Sequence, residues 1–177
     1  PPAIMDRFNR AAGGGSPGGS WVVGQGTWGV TGEQLYCTSL TIGDVITQSV
    51  ELPDGVLRMV GQDNTGSPFN QVFDLCFHIR VTYAGAIDLT NMLYLRYSGS
   101  TLDLRKIDGG THSSLATATV SLLADATNVA LDVRFFGSQV QVWVNGVLTL
   151  THELAEANRK YLEYPRIGLR CGATSVG

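Results

Sequence analysis

The sequence predicts an all-β fold, a two-sheet antiparallel sandwich of the jelly-roll type with at most one short helix. Three observations predict it: apolar and polar residues alternate in many short runs, turn-forming residues separate these runs, and only one segment has a helical pattern. Alternation places one face of a strand on a core and the other in water. Because 177 residues suffice to bury one substantial core, we predict a single domain over residues 1–177.

The clearest strands lie in the middle of the chain. In residues 73–81 the odd positions are apolar, and the even positions are Asp74, Cys76, His78 and Arg80. The polar side chains that we expect on the outer faces of the sheets include Asp74, Arg80, Asp132 and Arg134. The apolar side chains that we expect to point inward and be buried are Phe73, Leu75, Phe77, Ile79, Leu93, Leu95, Leu102, Leu104, Leu131, Val133, Val140, Val142 and Val144.

Turn signals separate these runs at close spacing. Asn145-Gly146 is the strongest signal, because both residues accept the positive φ that a type I′ hairpin turn requires. Residues 108–110, Asp-Gly-Gly, form a second signal of this kind. Residues 11–19 read AAGGGSPGG, which predicts a Gly-rich loop. The only helical candidate spans residues 152–162.

Composition excludes several classes of protein. A chain that is 44% hydrophobic is not intrinsically disordered. A net charge of −3 provides no basic field, so we expect no nucleic-acid partner. Apolar stretches such as residues 129–133 are far shorter than a membrane helix, and we expect no membrane insertion. Cys37, Cys76 and Cys171 leave at least one free thiol, and one disulfide bond among them remains an open alternative.

Several motifs together resemble one family of domains. The motifs are Asp6-Arg7-Phe8-Asn9-Arg10, the Gly-rich loop followed by Trp21, Gly26-Thr27-Trp28-Gly29-Val30, the hairpin of residues 140–146 and the strand of residues 166–172. With them the chain resembles the concanavalin A-like lectin and laminin-G-like domains, in particular those of phage tail proteins and bacterial surface proteins. The resemblance covers nearly the whole chain.

The resemblance implies a non-catalytic module of a phage tail or tail tip, which is structural, binds a host-surface glycan, or both. Its partners would be other tail proteins and a glycan, its location the virion tail, and its assembly a trimer. Two alternatives remain open: a carbohydrate-binding module of a secreted or surface bacterial protein, and a glycan hydrolase whose site the sequence does not reveal. Domains of this kind also add a final strand, which we expect after Gly177 or from a neighbouring subunit, near the opening residues 3–8.

The polar faces of the strands contain the candidate binding site. An aromatic ring on which a sugar can stack, surrounded by side chains that bind hydroxyl groups, is a common form of sugar site. The residues that we predict for it are Trp143, Tyr94, Arg96, Arg134 and Asp132. The alternative is that the charged residues of these faces pair with one another across neighbouring strands and have no ligand.

Catalytic patterns are weak. The Glu-x-Asp-x-x-Glu motif of related glucanases does not occur. Cys76 and His78 share the predicted polar face with Asp74, but alternate residues of a strand lie about 6.5 to 7 Å apart, too far for a direct hydrogen bond. Nothing in the sequence supplies an oxyanion-binding element. We therefore predict that the chain is not an enzyme.

Metal-binding patterns are weak as well. The three histidines lack the spacing of zinc ligands, and we expect no resident cofactor. Calcium is the candidate metal, because loops rich in Asp and Asn offer suitable oxygen ligands. Its candidate ligands are Asp63 and Asn64, with residues 88–91 as a second loop. Both loops are explained equally well as turns.

Overall fold

A computed structural model describes residues 13–14, 22–25, 28–31, 34–37, 44–49, 55–62, 72–81, 86–98, 100–121, 128–164 and 166–172. The structure is mostly β, as predicted. The first strands are β1 Gly13–Gly14, β2 Val22–Gln25, β3 Trp28–Thr31, β4 Gln34–Cys37, β5 Asp44–Ser49, β6 Gly55–Gln62, β7 Val72–Val81 and β8 Ile87–Asp88. The others are β9 Met92–Ser98, β10 Thr101–Asp108, β11 Thr111–Thr119, β12 Asn128–Phe136, β13 Gln139–Val144, β14 Val147–Glu153 and β15 Arg166–Gly172.

Two antiparallel sheets face each other across the core. The larger sheet has the strand order β11-β10-β9-β7-β15-β5-β2, with the short β8 paired to β7. The smaller sheet has the order β14-β13-β12-β6. Strands β1, β3 and β4 form a third small sheet. The chain runs through β7, β9, β10 and β11 of the larger sheet, crosses to β12, β13 and β14, and returns to the larger sheet as β15.

The inner faces of the two sheets form one core, and the predicted apolar stripe lies there. Ten of the predicted side chains are at most 3% exposed and belong to this core. Val144 is only partly buried, and the side chain of Phe73 lies outside the described residues. The Phe77 and Phe135 rings meet edge to face, with their centroids 5.0 Å apart, and so join β7 of one sheet to β12 of the other.

Strand β7 contains a bulge at His78, which overturns part of the predicted alternation. His78 has a φ of +49°. On β15, Gly168 pairs with Cys76 and Arg166 pairs with Ile79, so β7 has two residues where β15 has one. His78 therefore lies against the Phe135 ring, 4.8 Å away, on the core side. Ile79 moves to the opposite face, beside Cys76. The predictions that Ile79 belongs to the inner stripe and that His78 shares a face with Cys76 are both wrong.

Beyond the bulge, the outer face of the larger sheet is apolar. A second cluster there consists of Cys76, Ile79, Met92, Tyr94 and Ile107, and Ile87 and Leu89 pack against it. The segment of residues 86–91, which includes β8, thus covers one end of this face. A face that alternation predicts to be solvated therefore carries a core of its own.

Two of the four outward-facing polar residues are not solvated. Asp74 is 0% exposed and Asp132 is 5% exposed, whereas Arg80 is exposed and Arg134 is partly exposed. Both carboxylates do lie on outer faces, as predicted, but guanidinium groups cover them. The predicted faces are right, and the prediction of solvent contact fails for the two acids.

The hairpin turns follow the sequence signals. Asn145 and Gly146 have φ values of 48° and 81°, which confirms the positive φ that the Asn-Gly pair predicts. The Asn145 side chain ties this turn to the neighbouring strand β12, because its Oδ1 accepts a hydrogen bond from the Ala130 N–H at 2.8 Å. Gly109 and Gly110 have φ values of 57° and 85° in the β10–β11 turn.

The helical candidate is shorter than predicted. Its first two residues continue β14, and a 3₁₀ helix spans Glu156–Glu163. The helix closes one end of the core, because Tyr161 is fully buried and its hydroxyl donates to the Ile107 carbonyl at 3.2 Å. Within the described part of the chain, no helix has the length and apolar character needed to cross a bilayer.

Replacing Phe77 by alanine should lower the free energy of unfolding by about 3 to 5 kcal/mol, because the ring is buried and bridges the two sheets. Phe136→Ala provides the matched control, since that ring is 55% exposed. Urea unfolding of both variants and of the wild type measures the difference. Equal effects of the two substitutions would contradict the assigned core.

Stability should fall at acid pH because of His78. Burial lowers the pKa of its imidazole from 6.5 to about 4, partly offset by the hydrogen-bonding contact of Nδ1 with the Tyr164 carbonyl. Between these pH values the unfolded chain binds a proton that the folded chain does not. The free energy of unfolding therefore decreases as the pH falls from 6.5 to 4, by at most about 3 kcal/mol from this group.

His78→Asn isolates this contribution, because asparagine accepts a positive φ and has no ionisable group. Urea unfolding at pH 7 and at pH 4.5 should show a smaller loss of stability in the variant than in the wild type. Titration of the carboxylates affects both proteins alike. An equal loss in both would contradict the buried, neutral state of His78.

Candidate functional site

The outer face of the larger sheet brings polar side chains of five strands together in two rows. In the first row, strand pairing places Arg170, Asp74, Arg96 and Asp103 side by side on β15, β7, β9 and β10. Cationic and anionic side chains therefore alternate across four adjacent strands. We call this surface the arginine face, and it comprises Asp74, Tyr94, Arg96, Asp103, Arg105, His112, Ser114 and Arg170.

The carboxylate of Asp74 is the anchor of the first row. Arg96 donates to it through two nitrogens, Nε to Oδ1 at 2.8 Å and Nη2 to Oδ2 at 3.1 Å. Arg170 donates from the other side, Nε to Oδ2 at 2.7 Å. The Arg170 side chain is 10% exposed and that of Arg96 is 23% exposed, against 0% for Asp74. The hydrogen bond with Asp74 raises the pKa of Arg96. A buried acid thus fixes two guanidinium groups in place.

The second row contains Tyr94, Arg105 and Ser114, which strand pairing places side by side on β9, β10 and β11. The Tyr94 ring lies beneath the arginines. It is fully buried, and the guanidinium carbons of Arg170, Arg96 and Arg105 lie 4.7, 5.7 and 5.9 Å from the ring centroid. These are cation–π distances. The Tyr94 hydroxyl lies 2.9 Å from Nδ1 of His112 on β11. Burial raises the pKa of Tyr94. Three cationic groups therefore converge on one neutral ring.

Asp103 and Arg105 form the more accessible part of this face. Ser114 donates its hydroxyl to Oδ1 of Asp103 at 2.6 Å, and Nε of Arg105 lies 3.4 Å from Oδ2. The side chains of Asp103 and Arg105 are 17% and 23% exposed. Nε of Arg105 is buried and has no hydrogen-bond partner among the described residues, and the two terminal nitrogens of this side chain form no hydrogen bond with them either. Fixed acceptors and incompletely used donors thus lie next to each other.

The described side chains of the arginine face carry a formal charge of +1. Its three arginines outnumber its two aspartates, which leaves one uncompensated positive charge. Burial lowers the pKa of His112, and Arg170, Arg105 and Arg96 lower it further, so this imidazole adds no charge at neutral pH. The charge that a ligand meets here is therefore that of the guanidinium groups.

The outer face of the smaller sheet carries a second polar cluster. We call it the tryptophan face, with Arg58, Asp132, Arg134 and Trp143. Arg58 donates to both Asp132 oxygens at 2.6 Å and lowers the pKa of this carboxyl, which Arg134 also approaches at 3.6 Å. The guanidinium carbon of Arg134 lies 4.4 Å from the centroid of the half-buried Trp143 ring, so one side of that ring is already occupied.

The structure does not bring the five predicted binding residues together. Tyr94 and Arg96 lie on the arginine face, and Asp132, Arg134 and Trp143 lie on the tryptophan face, with the core of the sandwich between them. The exposed Phe136 also lies on the smaller sheet. Alternation distinguishes inner from outer side chains but does not say which sheet a strand joins.

Six residues of the arginine face are not among the five predicted binding residues: Asp74, Asp103, Arg105, His112, Ser114 and Arg170. Arg170 belongs to β15, where Arg166, Gly168 and Arg170 alternate with apolar residues, and this pattern could have revealed it. His112 and Ser114 lie on β11, whose Ser, Thr and Ala residues give no clear alternation. Small and polar residues can occupy an edge strand without a recognisable pattern.

The two candidate calcium loops differ in what the structure shows of them. The predicted calcium ligands Asp63 and Asn64 lie outside the described residues. Within these residues, no group of three or more His, Cys, Asp or Glu side chains could hold a metal ion. In the second candidate loop, Asp88 accepts hydrogen bonds from Thr90 N–H at 3.0 Å and from the Asn91 amide at 3.0 Å. These bonds close a turn, which favours the turn interpretation of residues 88–91.

Cys76 is a free, buried cysteine. Burial raises the pKa of its thiol to about 12, so the thiolate is not available as a nucleophile near neutral pH. Nothing about a disulfide bond can be added for Cys37 and Cys171, whose side chains lie outside the described residues.

Comparison with solved structures supports the fold. A carbohydrate-binding module of family 66 from Bacillus subtilis matches with a TM-score of 0.64 at 14% identity, over 86% of this chain and 88% of that one. The exoplasmic domain of VIP36, bound to Ca²⁺ and Man₃GlcNAc, has a TM-score of 0.62 at 12% identity, over 88% and 77%. A Parabacteroides distasonis protein assigned to the glycosyl hydrolases has a TM-score of 0.56 at 9% identity, over 87% and 83%.

The chain has the concanavalin A-like jelly-roll fold. At these identities the likeness concerns the fold, which supports binding proteins and enzymes alike. No protein-family model and no curated protein sequence matches this chain.

Asp74→Asn should lower the free energy of unfolding by about 3 to 5 kcal/mol, because it leaves two mostly buried guanidinium groups without their counter-charge. Asp108→Asn is the matched control, since Asp108 is 41% exposed and pairs with lysines at the surface. That change should cost less than about 1 kcal/mol. Thermal and urea unfolding would contradict the anchoring role if the two variants were equally stable.

Proposed function

We propose that this chain is a non-catalytic glycan-binding module whose binding surface is the arginine face. The observation that carries the proposal is the row of alternating guanidinium and carboxylate groups, which adjacent strands hold in register. A sugar hydroxyl both donates and accepts hydrogen bonds, and Asp103 and Arg105 offer an acceptor and a donor side by side. Because Asp74 fixes Arg96, little side-chain entropy is lost on binding.

The arginine face favours recognition by hydrogen bonds over ring stacking. Tyr94 is fully buried beneath the guanidinium groups, so its role is to position them. The tryptophan face is the second candidate surface. It has the larger aromatic ring, but the contact of Arg134 with Trp143 occupies a ring face on which a sugar would have to stack.

The same geometry argues against glycan hydrolysis on the arginine face. Hydrolysis requires two carboxyl groups on either side of the bond that is cleaved. The Asp74 side chain is 0% exposed and both of its oxygens accept hydrogen bonds from arginines. It cannot reach a glycosidic oxygen. We therefore expect binding without turnover.

The setting of the module is part of the proposal and rests on the sequence resemblance. We propose a phage tail or tail tip, with tail proteins as partners, a trimeric assembly and a host-surface glycan as the ligand. The alternative is a secreted or surface protein of a bacterium. Antibodies against this chain should label tails of purified virions, and labelling of bacterial cells or culture medium alone would favour the alternative.

A glycan array with the purified chain tests the binding function. We expect at least one glycan to bind, and Arg105→Gln should weaken its affinity at least about tenfold, because a hydrogen bond from a charged group is lost. Arg134→Gln, on the tryptophan face, should leave the affinity unchanged. An array without binding would contradict the function, and loss of binding in the Arg134 variant alone would move the site to the other sheet.

A further inference from the structure

We infer that the arginine face selects acidic glycans, and that Arg105, together with Arg96, receives the carboxylate of a uronic or sialic acid unit. The inference rests on the proposed function and specifies its ligand class. It begins from the distribution of charge. Asp74 accepts bonds from both Arg96 and Arg170, while Asp103 is the only carboxylate near Arg105 among the described residues.

Arg105 holds its carboxylate partner loosely. The distance from its Nε to Oδ2 of Asp103 is 3.4 Å, longer than an ordinary charged hydrogen bond. This Nε is buried and makes no hydrogen bond within the described part of the chain, so it is not the atom that a ligand would reach. Asp103 in turn accepts a short hydrogen bond from Ser114. The side chain of Arg105 is 23% exposed, and its two terminal nitrogens make no hydrogen bond with the described residues. They are the donors that remain for a further acceptor, and a planar carboxylate is the acceptor that a guanidinium group fits best.

The position of Arg96 completes the receptor. The guanidinium carbons of Arg96 and Arg105 lie at nearly the same distance from the Tyr94 centroid, 5.7 and 5.9 Å. Both side chains are partly exposed, at 23% each. They come from adjacent strands, β9 and β10, and act on the same patch. A carboxylate there meets one uncompensated positive charge, whereas a neutral sugar gains nothing from that charge.

Among the side chains that the structure describes, the carboxylates paired with the arginines of this face are Asp74 and Asp103 alone. His112 and Ser114 border the patch on β11 and are neutral groups at neutral pH. The depressed pKa of His112, which burial and the three arginines cause, agrees with a positive potential at this border. A bound anion should raise that pKa, which offers a readout independent of affinity.

Matched pairs of probes test the inference. The probes are trigalacturonic acid, a hyaluronan hexasaccharide and 3′-sialyllactose, each compared with its methyl ester, which keeps the sugar and removes the charge. Calorimetry at low and at physiological salt should show binding of at least one acid, with the methyl ester at least about tenfold weaker and the difference reduced by salt. NMR titration of His112 should show a higher pKa in the complex.

Variants of Arg105 and Arg134 test which residues cause the preference for the acid over its methyl ester. Arg105→Gln should abolish the preference for the acid, and Arg105→Lys should retain part of it, because lysine keeps the charge but loses the two-pronged geometry. Arg134→Gln, on the tryptophan face, is the matched control and should keep the full preference. Melting temperatures of all variants exclude loss of folding as the cause, and the lysine variant remains informative if the glutamine variant is unstable.

The outcomes separate the two proposals. If acids and esters bind equally, or if Arg105→Gln keeps the preference, the inference fails while glycan binding stands. If Arg134→Gln alone loses the preference, the assignment to the arginine face fails. If neither these probes nor a glycan array yields binding, the proposed function fails.

Discussion

The extra residue that β7 inserts at His78 determines what the outer face of the larger sheet can do. Before the bulge, the outward side chains of β7 include Asp74, which gathers two arginines. After it, the outward side chain is Ile79, which joins an apolar cluster beneath residues 86–91. One shift of register thus divides a single sheet face into a polar part that meets solvent and an apolar part that is covered. The arginine face ends where the bulge begins.

The same bulge turns His78 into the core, where its imidazole packs edge to face against the rings of Phe77 and Phe135, which also contact each other. A ring at this position fills space as a phenylalanine would, and it stays neutral because burial opposes its charge. Asp74 is buried as well, but it keeps its charge. Its charge is retained inside the protein because two guanidinium groups replace the water that it loses. The two residues lie four positions apart on one strand, on opposite faces.

Much of the fold follows from the sequence because the side chains of a strand alternate with a period of two. Leu93 and Leu95, or Val140 and Val142, need no tertiary information to be assigned to a core face. The bulge could not be predicted, since histidine at residue 78 carries no local signal for a positive φ, unlike the Asn145-Gly146 pair. His78 and Ile79 are consequently predicted on the wrong faces.

The candidate site was harder to predict than the core. Tyr94 and Arg96 were recognised as outward residues, but their most important neighbour, Arg170, comes from a strand far along the chain. Trp143 and Arg134 have the same local pattern and yet belong to the other sheet. Which strands become neighbours depends on packing between distant segments, and period-two patterning carries no information about it.

The pairing of Asp74 with Arg170 spans 96 positions of the chain. Strand β15 inserts between β5 and β7, so the centre of the larger sheet is completed only when this late segment arrives. Non-local pairing of this kind slows folding, and such β-sandwiches typically fold in milliseconds to seconds. During that time Asp74 would be a carboxylate without one of its two cations, on a sheet with an open gap. Because Arg170 reaches Asp74 through this long-range pairing, the arginine face is complete only in molecules in which β15 has paired with β7, and its ability to recognise a ligand would appear only in them.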